Sequence, residues 1–230
     1  MKITAGILLV IGLAVLLALV VWLGADKIAA ALAAVGWNIL WPTIFYAVPM
    51  GLATLSWRYL FPPHAAPGAG ALFNAMWIGL AVNWVLPVAQ VGGEIVKARL
   101  AMQAGATGPI AGASVVADKT VQAISQLLFG LIGTALLLAT ETSAGMISAL
   151  LISCGVFLVL LVGFYRAQRA GIFGFLAGRL ARIGGGAGSL LSLVGNATAL
   201  DEAIGEVYGR PRAVIASCTL RLLGRVTVAV

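Results

Sequence analysis

Charge is scarce in this chain. Only 9% of its 230 residues are Asp, Glu, Lys or Arg, while 62% are hydrophobic. A soluble domain is roughly a quarter charged and about half apolar. A chain of this size leaves too much surface exposed to hide such an apolar excess in a core. A water-soluble globule is therefore excluded, and the solvent is a bilayer. Histidine occurs once, as His64, and cysteine twice, as Cys154 and Cys218. The imidazole sits in the turn "FPPHAAPG" and the thiols lie inside apolar runs, so neither a metal site nor a disulfide framework is expected. Seven acids stand against fourteen bases. That balance can mark nucleic-acid binding, but these bases flank apolar segments, where they act as topology signals. Nucleic acid is not an expected partner. There is also no Ser/His/Asp set and no nucleotide-binding glycine motif, so neither an enzyme nor a cofactor is expected.

What the chain does contain is a series of apolar segments. Residues 3–23 follow a positive start, as in a signal peptide. The apolar run is about twenty residues, enough for a spanning helix, and no small-x-small cleavage site follows it. Residues 24–38 form an amphipathic connector. A second span covers 39–60, with Trp37, Trp41, Trp57 and Tyr59 near its ends, where amphipathic rings favour the interface. Residues 71–86 are helical but short for a crossing. A long helix covers 110–140 and another span 146–165. Residues 166–212 are an Arg- and Gly-rich interfacial stretch, with a flexible glycine tract at 184–188 and a polar end at 201–212. Residues 213–230 open a further apolar segment. The expected fold is all-α, a polytopic membrane helical bundle in one domain, without internal repeats.

Charge selects among topologies. If 71–86 crosses the bilayer, Lys97 and Arg99 fall opposite Arg58, and the later arginines lie outside. If 71–108 instead holds a re-entrant hairpin and returns to the same side, the bases collect on one side. Lys2, Arg58, Lys97, Arg99, Arg166, Arg169, Arg179, Arg182, Arg210 and Arg212 then all face the cytoplasm. The Asp26–Lys27 pair and Glu141 face outward. Only the hairpin obeys the positive-inside rule throughout, and it places the N-terminus in the cytoplasm.

The hairpin carries the stretch "NWVLPVAQVGGEIVKARL", residues 83–100. Pro87 ends one helix, and Gly92 and Gly93 let the chain turn and another group approach. A helix restarting near Gly93 presents free N–H groups and a partial positive charge, which suit a lipid phosphate. Lys97 and Arg99 reinforce that attraction, and Glu94 lies within pairing reach of Lys97. The candidate lipid-contacting residues here are Asn83, Pro87, Gln90, Gly92, Gly93, Glu94, Lys97 and Arg99. The next helix adds a polar stripe, Ser114, Asp118, Gln122, Ser125 and Gln126, at intervals of three and four. A charge centred in a spanning helix costs at least about 2.5 kcal/mol, so Asp118 and Lys119 should face a partner or a cavity. Asp118, Lys119, Gln122 and Gln126 complete the candidate set. The plainer alternatives are a proline-kinked hairpin with solvated charges and a polar seam that glues helices together.

"VNWVLPVAQVGGEIVKARL" followed by "GASVVADKTVQAISQLLFG" resembles the membrane region shared by lysylphosphatidylglycerol synthases and their flippase-like relatives. Within that group it is most similar to the hopanoid biosynthesis-associated membrane proteins. The hallmark is an Asn, a Leu-Pro, and a Gly-Glu followed by a base. Asn83, Leu86–Pro87, Gly93–Glu94 and Lys97 or Arg99 match it. The resemblance implies a multi-pass inner-membrane protein that translocates or positions lipid, with hopanoids as the associated lipid. It implies membrane lipids as partners, hopanoid or phospholipid, and lipid biosynthesis enzymes beside them. Two features depart from the pattern. The soluble catalytic domain of the aminoacyl-transferring relatives does not follow, and the sequence ends inside an apolar segment, as a truncated chain would. Arg221 and Arg225 in that segment do not suit a lipid-facing helix. The alternatives are a membrane subunit of a lipid-modifying enzyme, for which Glu94 and Asp118 are a thin acid–base pair, and a scaffold for such enzymes.

Overall fold

The computed structural model describes residues 2–85, 92–138, 144–175 and 188–229. Among them every regular element is helical. The chain divides into two compact units, residues 1–47 and residues 48–230.

In the first unit, α1 (Lys2–Leu23) and α2 (Ala25–Val35) meet at Gly24. That glycine has φ 87°, a left-handed conformation that side chains resist. The stretches Gly12–Leu23 and Ala25–Asn38 bend by 83° there, and together they are apolar enough for one broken span. The expected connector is therefore itself a helix. α3 (Leu40–Tyr59) begins in this unit and carries Pro49.

The second unit holds the rest of α3, then α4 (Ala69–Val85), α5 (Gly92–Gln103), α6 (Gly108–Leu137), α7 (Ala144–Arg169), α8 (Gly188–Tyr208) and α9 (Pro211–Ala229). α6 is the hub, packed against α5, α7, α8 and α9. Its start is written locally: Thr107 is extended, and Pro109 falls in the first turn, where a missing N–H costs nothing. Among the described residues, α6 and α7 are the helices long and apolar enough to cross a membrane singly. Leu151, Ile152, Val156, Val159 and Leu160 of α7 are exposed, as side chains that meet lipid must be. The interior is built differently. Ala75, Ala101, Ala111, Ala113 and Ala117 are at most 1% exposed, and such small residues let helices approach closely. Trp57, Leu60, Phe61, Leu72, Val121 and Ile204 fill the gaps between them.

α4 and α5 form an antiparallel hairpin, for Gly79 lies against both Gly93 and Lys97 while Asn83 also reaches Gly93. α3 and α9 form a second antiparallel pair. Pro49 meets Gly224, and the Ser56 hydroxyl donates to the Ser217 carbonyl at 2.8 Å.

Three expectations change. Trp57 does not anchor at an interface: it is fully buried, and its indole N–H is satisfied by Ser114 Oγ at 3.1 Å. Residues 201–212, expected as a polar end to an interfacial stretch, also face inward in part. Ile204 and Val207 of α8 lie in the core, and Asp201 accepts from the Gly174 N–H at 2.7 Å. The third change concerns the glycine tract: Gly188 opens α8, whereas 184–187 lie outside the described residues.

The charge argument predicts a topology that can be measured. After removal of the two native thiols, cysteines at Gln103 and Ala170, both exposed, should react with an impermeant reagent from the cytoplasmic side. One at exposed Met146 should react from the opposite side. Labelling of Gln103 from the periplasmic side would reject the re-entrant arrangement.

Candidate functional site

The hairpin, α6 and α9 bring five charged side chains into one alternating row. Lys119 Nζ lies 2.8 Å from Glu94 Oε1, and Lys97 Nζ lies 3.0 Å from Glu94 Oε2. Lys97 also donates to Asp118 Oδ2 at 2.8 Å, and the other Asp118 oxygen accepts from Arg221 Nη2. The order is thus Lys119, Glu94, Lys97, Asp118, Arg221, with signs alternating along it. Lys97 and Asp118 are at most 3% exposed. Lys97 is further closed in by Trp57, whose ring centroid lies 4.7 Å from Nζ, within cation–π range. Alternation is how charges survive such burial. Each desolvated ion needs an opposite neighbour and filled hydrogen-bonding positions.

The local sequence explains the placement. Glu94 and Lys97 are three apart on α5 and so share a face. Asp118 and Lys119 are adjacent on α6, and they reach different carboxyl or ammonium groups of that α5 face. α5 can lie this close because Gly79 and Gly93 have no side chains. A Cβ on Gly93 would sit 2.1 Å from the Gly79 carbonyl oxygen.

Several sequence expectations meet this geometry and others do not. Glu94 and Lys97 do pair, and Asp118 does face partners. Asp118 pairs with Lys97 and Arg221, whereas Lys119 turns to Glu94 and also donates to Gln122 Oε1 at 3.2 Å. The N–H groups at the start of α5 are not all free for an anion. Asn83 Oδ1 takes the Gly93 N–H at 2.8 Å, a cap supplied across the hairpin. Gly93 admits its own partner helix, which fills the approach expected for lipid. Arg99 is exposed and joins no ion pair among the described residues, because it lies two positions from Lys97 on another face of α5. Gly92 opens α5, and Pro87 and Gln90 lie outside the described residues.

Gln122 and Gln126 line a cavity of about 340 Å³ with Pro49, Ala53, Phe129, Arg221, Gly224, Arg225 and Val228. Arg225 Nε donates to Ser125 Oγ at 3.0 Å and Nη2 to the Gln122 carbonyl at 3.1 Å, while Nη1 meets Gln126 Oε1. Arg221 and Arg225 are thus the site residues that sequence reasoning set aside. Their four-residue spacing was the usable signal, since it puts both on one face of α9.

Behind α6 lies a separate polar knot. The Tyr208 hydroxyl donates to Gln168 Oε1 at 2.5 Å, and Gln168 Nε2 donates to Thr120 Oγ1 at 3.0 Å. Burial pushes the Tyr208 phenol up to about 12, so it stays a donor. This knot ties α6, α7 and α8 together.

The family model for the lysylphosphatidylglycerol synthase TM region matches residues 9–230. No curated protein and no solved structure matches the chain.

Proposed function

The chain belongs to the lysylphosphatidylglycerol synthase TM-region family, and from that premise we propose that it moves lipid between the leaflets of a bacterial inner membrane. In this reading it is a flippase-like protein with its N-terminus in the cytoplasm, acting on hopanoid-associated lipid. Its partners are membrane lipids, with lipid biosynthesis enzymes beside it, and it performs no catalysis itself. One observation supports the reading above the others. The inner members of the five-charge row, Lys97 and Asp118, are buried, Asp118 in the first half of the 30-residue α6, and the row runs into the polar wall of a cavity. A row kept only for stability has little reason to exist, because apolar replacements of buried ion pairs are often neutral or stabilising. Ionisable groups at membrane depth mark substrate paths. A polar seam alone would not need a cavity beside it.

The reading is tested by reconstitution. Vesicles containing the purified protein should move a labelled hopanoid or phospholipid across the bilayer faster than protein-free vesicles. Equal rates with both lipids would reject transport and leave the scaffold alternative.

A further inference from the structure

We propose that the cavity beside the charge row binds a terminal phosphate dianion, carried by a phosphomonoester lipid or arriving as free phosphate. The proposal deepens the lipid-handling reading and rests on it. Four cations, Lys97, Lys119, Arg221 and Arg225, meet only two carboxylates, Glu94 and Asp118, among the described residues of the row and cavity. The excess positive charge lies at the α9 end. Among the described residues Arg225 is held there by neutral acceptors only, Ser125, Gln126 and the Gln122 carbonyl. Arg221 lines the same cavity with its side chain 10% exposed, and its buried Nε has no hydrogen-bond partner among the described residues. A buried donor left unmade is costly unless something accepts from it.

These features select the ligand class. Guanidinium forks match the oxygens of phosphate, and two of them one turn apart can share one group. A phosphodiester carries one negative charge, whereas a phosphomonoester carries roughly −1.5 to −2 near pH 7. Of the two, the monoester balances the excess within a single headgroup. Gln122 and Gln126 add amides, and Phe129 and Val228 offer apolar wall to the carbon beyond the phosphate.

The test is competitive binding to the purified full chain in detergent, with phosphatidic acid, phosphatidylglycerol and inorganic phosphate as probes. Phosphatidic acid should bind roughly tenfold more tightly than phosphatidylglycerol, the effect of one additional charge-assisted contact. Arg225→Gln should reduce that preference to within about twofold. If this variant does not fold, Gln126→Glu puts a carboxylate beside Arg225 and should also abolish the preference. Equal binding of the two lipids by the wild-type chain would overturn the proposal, as would a preference that survives either variant. Inorganic phosphate competing at the same concentration as phosphatidic acid would support the site with the free ion as its ligand. Competition by the lipid alone would support it with lipid as the source. Lipid movement without a monoester preference sinks this inference and leaves transport standing. A preference without movement does the reverse.

Discussion

Asp118→Asn is expected to destabilise the protein by about 3–5 kcal/mol, the usual penalty for removing one partner of a buried ion pair. The side chain keeps its size, but Lys97 and Arg221 lose the carboxylate between them. Lys97 retains Glu94, whereas Arg221 has no other acid among the described residues. The loss should appear as lower abundance in the membrane and a lower melting temperature in detergent. The double variant Asp118→Asn with Arg221→Gln should recover part of it, because no cation is then stranded. Wild-type melting for the single variant would show that Asp118 does not hold the row together.

Gly93→Val should have a comparably large effect for a steric reason. A Cβ at Gly93 would lie 2.1 Å from the Gly79 carbonyl oxygen and 2.5 Å from the Asn83 side chain. Backbone cannot yield as a flexible side chain can, so α4 and α5 must separate. Lys97, whose stem crosses Gly79, would move with them. Most of the folded protein should be lost, and Gly93→Ala should already be harmful. Gly133 on α6 is the control, since a Cβ there meets nothing within 4 Å. Gly133→Ala should be neutral or stabilising by up to about 1 kcal/mol. Folded yield equal to wild type for Gly93→Ala would refute the close crossing.

Sequence made the helical membrane fold legible, because apolar run length and the bases at segment ends report directly on a bilayer. It also made Glu94, Lys97 and Asp118 legible, since a charge in an apolar helix demands an explanation. The misses share one cause: period and composition describe one helix at a time. Trp57 looked interfacial because its position near a span end says nothing of Ser114, which lies far away in sequence and accepts its N–H. Arg221 and Arg225 looked misplaced because Asp118 and Gln126, their partners, lie about a hundred residues earlier. Gly93 read as a helix end open to ligand because the cap comes from Asn83, across the hairpin. Arg99 stands close to the same helix start in sequence, but two residues of helical rotation from Lys97 put it outside.

Lipid movement is proposed to depend on the charge row. The most direct measurement compares transbilayer lipid movement in vesicles holding equal amounts of wild-type and Glu94→Gln protein. Among the described residues, Glu94 is the one bound to both lysines of the row. Its replacement leaves Lys97 the Asp118 carboxylate, so the bundle should fold and insert. The account predicts movement slowed by roughly tenfold or more, as the loss of a charge-assisted contact implies. Movement at the wild-type rate by fully folded Glu94→Gln protein would contradict it, and the row would then be no more than a seam between helices.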